Sequence, residues 1–189
     1  MEAVSTPKIS VIIPCYKTGA RASMLVSEIS ETLESYTRNA FEIIMVVDGS
    51  PDDTWSNVSE LVKRNRNVRG INLMRNYGQH SALLAGIRAA KGDVIVTIDD
   101  DLQHSPRDIP KLVDNLSEVC DIVYGISVLE EHSFFRNLLS RSYKHFIGML
   151  LRAEGAEIAG AFRAFKREVV PVFEGNDDLY APLDVMLSW

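Results

Sequence analysis

Val94-Ile95-Val96-Thr97-Ile98-Asp99-Asp100-Asp101-Leu102-Gln103 decides how this chain is read, because an apolar, β-branched run leads directly into three carboxylates and a carboxamide. The pattern predicts a buried strand that delivers acids to its carboxyl end. In open α/β sheets, ligands bind outside the carboxyl ends of the strands. Oxygen-only side chains suit Mg²⁺ or Mn²⁺ carrying substrate phosphates. The stretch therefore predicts a divalent ion with a diphosphate. The competing structural reading is an acidic turn that caps a helix beginning near Pro106.

The surrounding chain repeats the same grammar. Short β-branched runs at 9–13, 42–47, 68–72, 94–98 and 122–124 alternate with helical patterns at 22–34, 54–64, 81–90 and 107–118. That alternation is the signature of βαβ units and a mainly parallel sheet. Each strand-to-helix junction carries turn chemistry: Pro14, Asp48-Gly49-Ser50-Pro51, Asn76-Tyr77-Gly78 and the acidic cluster. These junctions are expected on one edge of the sheet. No linker or internal repeat divides the chain, so residues 1–189 are expected to form a single domain.

Composition bounds the function. A length of 189 residues, 46% hydrophobic and 24% charged, suits one globular domain. The net charge of −6 argues against a nucleic-acid binder, which would need a basic footprint. Cys15 and Cys120 match no metal or redox spacing and are expected as buried free thiols, in keeping with a reducing compartment. Residues 1–6 are polar and the run at 9–13 is too short for a signal peptide. No apolar stretch is long enough to cross a bilayer. The sequence ends in an apolar-rich, helix-like segment without a stop signal, so further elements, a membrane anchor among them, are expected beyond Trp189.

Three junctions carry recognition chemistry. Asp48 could accept hydrogen bonds from a nucleobase N–H or a ribose hydroxyl, or Asp48-Gly49-Ser50 could be a turn and helix cap. Tyr16, after Pro14, has a ring able to lie over a base. In Arg75-Asn76-Tyr77-Gly78-Gln79-His80, the glycine permits close backbone approach and the following helix start offers N–H donors to an anion.

Together V-I-I-P-C-Y, V-V-D-G-S-P-D-D-T, R-N-Y-G-Q-H-S-A-L-L-A-G, G-D-V-I-V-T-I-D-D-D-L-Q-H-S-P and G-A-F-R-A-F-K-R-E-V resemble the family 2 glycosyltransferases. The likeness is narrower to the branch that transfers sugars onto polyprenyl or dolichyl phosphate, and it runs in the family's order from residue 9 to 189. It implies an α/β, GT-A (Rossmann-like) three-layer sandwich with a mainly parallel central sheet. It also implies that Pro14, Tyr16 and Asp48 hold the base and ribose of a nucleotide diphosphate sugar. Asp99 and Asp100 would lie near the ribose and diphosphate, with Ser50, Asn76, Gly78 and Gln79 as further donor contacts. Asp101 and Gln103 match the ligands of Mg²⁺ or Mn²⁺, with Asp101 essential to catalysis.

The segment 133–152 holds Arg136, Arg141, Lys144 and Arg152 without an acid. On a helix, Arg136, Ser140 and Lys144 share one line while Phe135, Leu138, Leu139, Phe146, Met149 and Leu150 share another face. It reads as a core helix with a solvated face, or as a basic amphipathic helix on anionic lipid. The resemblance favours the latter, with Arg136, Ser140, Arg141 and Lys144 at an acceptor phosphate on the cytoplasmic membrane surface.

Arg163, in Phe162-Arg163-Ala164-Phe165, is similar to the family's F-R segment beside the diphosphate and acceptor, although its alternation equally suits an edge strand. Some relatives place an aspartate before that F-R, where this chain has Ala161. Asp184 is the remaining candidate base, or an N-cap of a terminal helix. A phosphate acceptor, already anionic, tolerates a missing base; a sugar hydroxyl does not. Lys17 and Val47 replace an asparagine and an aspartate frequent in the family. Three rivals follow: a soluble family 2 enzyme extending a polysaccharide with Asp184 as base, a sugar nucleotidyltransferase, and a non-catalytic nucleotide-sugar binding module. The nucleotidyltransferase usually calls for a Gly-rich first loop that Pro14-Cys15-Tyr16-Lys17 does not provide.

Overall fold

The computed structural model describes residues 9–125 and 161–171. Six strands form one sheet in the order β3-β2-β1-β4-β6-β5. Strands β1 (Ile9–Cys15), β2 (Phe41–Val47), β3 (Val68–Asn72) and β4 (Val94–Thr97) are parallel neighbours. Strand β6 (Arg163–Lys166) runs antiparallel between β4 and β5 (Ile122–Tyr124). The helices are α1 (Arg21–Thr37), α2 (Thr54–Arg64), α3 (Gln79–Ala89) and α4 (Ile109–Asp114). The expected α/β architecture with a mainly parallel sheet is thus the observed one.

Two apolar clusters explain the layering. Val11, Ile13, Ile43 and Met45 pack with Leu25, Ile29 and Leu33 of α1 and Val58 of α2. Ile12, Ile44, Val46 and Ile95 pack on the other face with Leu83, Leu84 and Ile87 of α3. Because both faces of β1 and β2 are covered, these strands read as unbroken apolar runs rather than alternating ones.

Two expectations need correction. The helix foreseen at 107–118 is a 3-10 turn at Pro106–Asp108 followed by α4, which stops at Asp114. The Asn115 side-chain amide donates to the Lys111 carbonyl, closing the helix end, and Ser117 and Cys120 then pair across a turn. The edge strand allowed for Arg163 is instead internal, with Arg163 buried. Its Nε donates to the Thr97 hydroxyl at 3.2 Å and its guanidinium lies 5.9 Å from the Tyr124 ring centre. A basic side chain is tolerated inside the sheet because its polar atoms have partners there.

The two edges of the sheet differ in chemistry. At the amino edge the buried Glu42 carboxylate accepts from Ser10 Oγ (2.7 Å), the Lys91 amide (2.7 Å) and Arg69 Nη1 (2.8 Å). Its charge is satisfied within the fold. At the carboxyl edge the acids open onto a cleft.

Candidate active site

The cleft has a volume of about 320 Å³, within the size range of small-molecule sites. The end of β1 contributes Pro14, Cys15 and Tyr16, and the end of β2 contributes Asp48. The β3–α3 loop brings Asn76, Gly78 and Gln79, and the end of β4 brings Asp99, Asp100 and Asp101. Residues far apart in sequence meet because parallel strands place all their carboxyl ends on one edge. The acids do not cap the following helical segment. Ser105 does so, its Oγ accepting from the Arg107 amide.

Each site element is held by a side chain of its neighbour. The Asp48 carboxylate is buried and accepts from the Tyr77 and Gly78 amides, each at 2.8 Å. Gln79 Nε2 donates to Asp99 Oδ1 at 2.5 Å. The Thr18 hydroxyl donates to Asp100 Oδ2. Asp101 is exposed, and its Oδ1 accepts from the Gln103 amide at 3.0 Å across Leu102, which has φ +62°. Tyr16 is 43% exposed, leaving its ring available to a ligand, with Lys17 Nζ 5.4 Å from its centre.

Some expected residues stand apart. Ser50, Gln103 and Arg163 are not among those lining the cleft. The Ser50 hydroxyl accepts from the Lys17 amide (2.8 Å) and donates to Asp52 (2.5 Å), tying the β1–α1 loop to the turn after β2. Arg136, Ser140, Arg141, Lys144 and Asp184 lie outside the described residues, as does the segment 133–152. Sequence reasoning missed Thr18 and Thr97. Thr97 donates to the Ala161 carbonyl at 2.6 Å and accepts from Arg163. Neither threonine carries a local signal, since each partner is remote in sequence. Of the two thiols, Cys15 is buried and Cys120 half-buried, and both are free. Burial and the nearby Asp100 push the Cys15 thiol up to about 12, so it is no nucleophile at neutral pH.

Charge is crowded at the end of β4. Burial, then Asp101 and Asp100, push the Asp99 carboxyl up to about 6, while Arg163 opposes the rise. A raised carboxyl binds its proton more tightly folded than unfolded, so it costs stability as pH climbs through 4 to 6. Without divalent ions, Asp99→Asn is expected to be more stable than wild type at pH 7 by about 3 kcal/mol, at 1.4 kcal/mol per pH unit. The gap should close near pH 4, as read from urea unfolding at both pH values.

The same crowding bears on a cation. Among the described residues no three His, Cys, Asp or Glu side chains form a ready-made metal cage. The donor set fits instead an ion shared with phosphates, which needs only one or two protein oxygens. Asp101 retains Oδ2 for this purpose, and a divalent charge there would relieve the repulsion that lifts Asp99.

Lys17 sits at φ +56°, in the left-handed region that asparagine tolerates better than lysine. The family's asparagine at this place has a backbone reason. Lys17→Asn is expected to raise stability by about 0.5 kcal/mol, seen as a higher urea midpoint.

The model of glycosyl transferase family 2 matches residues 10–172. The chain belongs to glycosyl transferase family 2. Among its relatives in that family is the undecaprenyl-phosphate 4-deoxy-4-formamido-L-arabinose transferase of Aeromonas hydrophila, 31% identical across 86% of this chain and 50% of the relative. The protein of the same description from Yersinia enterocolitica is 33% identical across 89% of this chain and 52% of its own length. The chain spans about half the length of the curated relatives it matches.

Solved structures share its fold. A Pyrobaculum calidifontis mannosyltransferase, crystallised with GDP-Man and Mn²⁺, covers 98% of this chain and 51% of its own, with TM-score 0.67 and 22% identity. Glucosyl-3-phosphoglycerate synthase of Mycobacterium tuberculosis, crystallised with Mn²⁺, UDP and glucosyl-3-phosphoglycerate, covers 86% of this chain and 58% of its own, with TM-score 0.59 and 21% identity. The fold is GT-A.

Proposed function

We propose that this chain is the catalytic domain of a glycosyltransferase that moves a sugar from a nucleotide diphosphate sugar to a polyprenyl phosphate, with Mg²⁺ or Mn²⁺ and inversion at the anomeric carbon. The observation that carries the reading is the convergence of Asp48, Gln79 and Asp99 to Asp101 on one cleft at the carboxyl edge. The polyprenyl-phosphate branch is supported by the names of the 31–33% identical relatives. The acceptor lipid puts the reaction at a membrane surface, on the cytoplasmic side. Among the described residues no helix is long and apolar enough to cross a membrane.

In this mechanism Pro14, Tyr16 and Asp48 wall the nucleoside, while Asn76, Gly78 and Gln79 border the diphosphate. Asp101 and Gln103 would hold the cation, whose chemistry is to neutralise charge growing on the departing nucleoside diphosphate. Thr18 keeps Asp100, and Gln79 keeps Asp99, in place as donor binds. The acceptor phosphate attacks the anomeric carbon in line, the bond to the diphosphate breaks, and the configuration inverts.

Ala161 offers no carboxylate where some relatives carry one, and its carbonyl is engaged by Thr97. A phosphate oxygen is already ionised at neutral pH and needs orientation rather than a base. Arg136, Ser140, Arg141 and Lys144 are proposed to supply that orientation, Arg163 to act electrostatically from beneath the acids, and Asp184 to matter only if the acceptor is a hydroxyl. The test is transfer of label from radioactive UDP- and GDP-sugars with Mn²⁺ to undecaprenyl phosphate in mixed micelles or to oligosaccharide. Label is expected in the lipid fraction. Label in oligosaccharide alone would overturn the acceptor assignment.

A further inference from the structure

Thr18 is 2% exposed and stands two residues beyond Tyr16, which lines the cleft. Its hydroxyl donates to Oδ2 of Asp100, the middle acid of the cluster, and that acid lines the cleft too. The backbone around Thr18 is fastened on its other sides. The Lys17 amide donates to Ser50 Oγ at 2.8 Å and the Gly19 amide to the buried Thr54 Oγ1 at 3.1 Å, both beyond the end of β2. Arg21 donates to the Thr18 carbonyl through its amide at 3.2 Å and its Nε at 3.3 Å. A threonine anchored in this way holds its one side-chain donor against the acids after β4. The next acid, Asp101, closes its own turn by accepting from the Gln103 amide across Leu102 at φ +62°. The turns that follow β1 and β4 are therefore joined through a buried hydroxyl.

From this arrangement we infer that Thr18 is a positioning residue that makes the nucleoside wall after β1 and the cation-holding turn after β4 one body, and so sets the cooperativity between nucleotide and divalent ion. The inference rests on the donor-site reading above and deepens it. The hydrogen bond uses one acceptor position of Asp100, so a ligand contact by that carboxylate is compatible with it. When two loops are linked, the ligand that arrives first orders both, and the second meets a site already in place. When they are not, each ligand orders only its own loop. Thr18 thereby acts on joint binding and little on either ligand alone. Valine matches threonine in shape and removes the hydroxyl, whereas serine keeps it. Asp100 is half-buried at the cleft, so water can replace the lost donor and the fold should survive.

The experiment is calorimetric titration of UDP and of GDP, each with Mn²⁺ and in EDTA, into wild type, Thr18→Val and Thr18→Ser, with urea unfolding of the metal-free proteins. In wild type, Mn²⁺ is expected to tighten nucleotide binding by about tenfold or more. In Thr18→Val that gain should shrink to about threefold or less, while affinity in EDTA stays within about twofold of wild type. Thr18→Ser should restore the gain. A lower urea midpoint in Thr18→Val with the full gain intact would overturn the inference, because a merely structural hydroxyl moves stability alone. Equal weakening with and without Mn²⁺, or a Thr18→Ser that behaves as Thr18→Val does, would overturn it as well. Should Thr18→Val not fold, Asp100→Ala removes the other end of the bond from a half-buried position; the gain should shrink likewise, and an unchanged gain would overturn the inference. Absence of any Mn²⁺ gain in wild type counts against the donor site itself, and the inference falls with it.

Discussion

Asp101→Asn is expected to lower kcat/KM for sugar transfer by about a thousandfold, roughly 4 kcal/mol of transition-state stabilisation, while barely moving the urea midpoint. The asymmetry follows from what Asp101 touches. It is exposed, and the hydrogen bond it accepts from the Gln103 amide can be kept by an asparagine oxygen. Losing its charge also removes one of the two neighbours that push Asp99 upward, a small gain in stability. What the substitution takes away is the anionic oxygen at the mouth of the cleft. A neutral carboxamide holds a divalent ion far less well. Initial rates at saturating donor, with parallel urea unfolding, separate the two effects.

Gly49→Ala is expected to do the opposite, collapsing stability first and binding with it. At φ +56° an added Cβ is strained before any contact is considered. It would also stand 2.2 Å from the Arg75 carbonyl carbon and 2.4 Å from the Asn76 nitrogen, both backbone atoms that no rotamer change can move. The sum is about 3–5 kcal/mol. Gly19 supplies an internal control. Its φ of +55° is nearly the same but, among the described residues, nothing lies within 4 Å of its Cβ position, so Gly19→Ala should cost only about 1 kcal/mol of conformational strain. Urea unfolding of the two variants checks the difference. Equal losses would mean that backbone strain alone, and not the packed loop, explains Gly49.

The parallel half of the fold was legible because β-branched runs buried on both faces leave an uninterrupted apolar signal, and β1 to β4 fall where that signal lies. The meeting of Asp48 with Asp99 to Asp101 was legible too, since strand ends of a parallel sheet share an edge whatever the details. What escaped was long-range. That Arg163 is internal depends on Thr97 and Tyr124, partners from other strands, and no alternation pattern encodes which neighbour a strand will find. The early stop of α4 hinges on Asn115 taking the Lys111 carbonyl, which the apolar periodicity through Leu116 masked. The engagement of Ser50 with Lys17 and Asp52, and of Asp48 with two amides, reflects backbone groups whose positions only the folded loop defines.

The aspartates ending β4 and a nucleoside diphosphate are expected to hold one cation between them. The most direct measurement is Mn²⁺ binding followed by electron paramagnetic resonance with and without UDP or GDP. Cooperative uptake is predicted, Mn²⁺ binding at least tenfold tighter with nucleotide present and the gain vanishing in Asp101→Asn. Nucleotide binding of the same strength in EDTA, or cooperative uptake that survives Asp101→Asn, would contradict it.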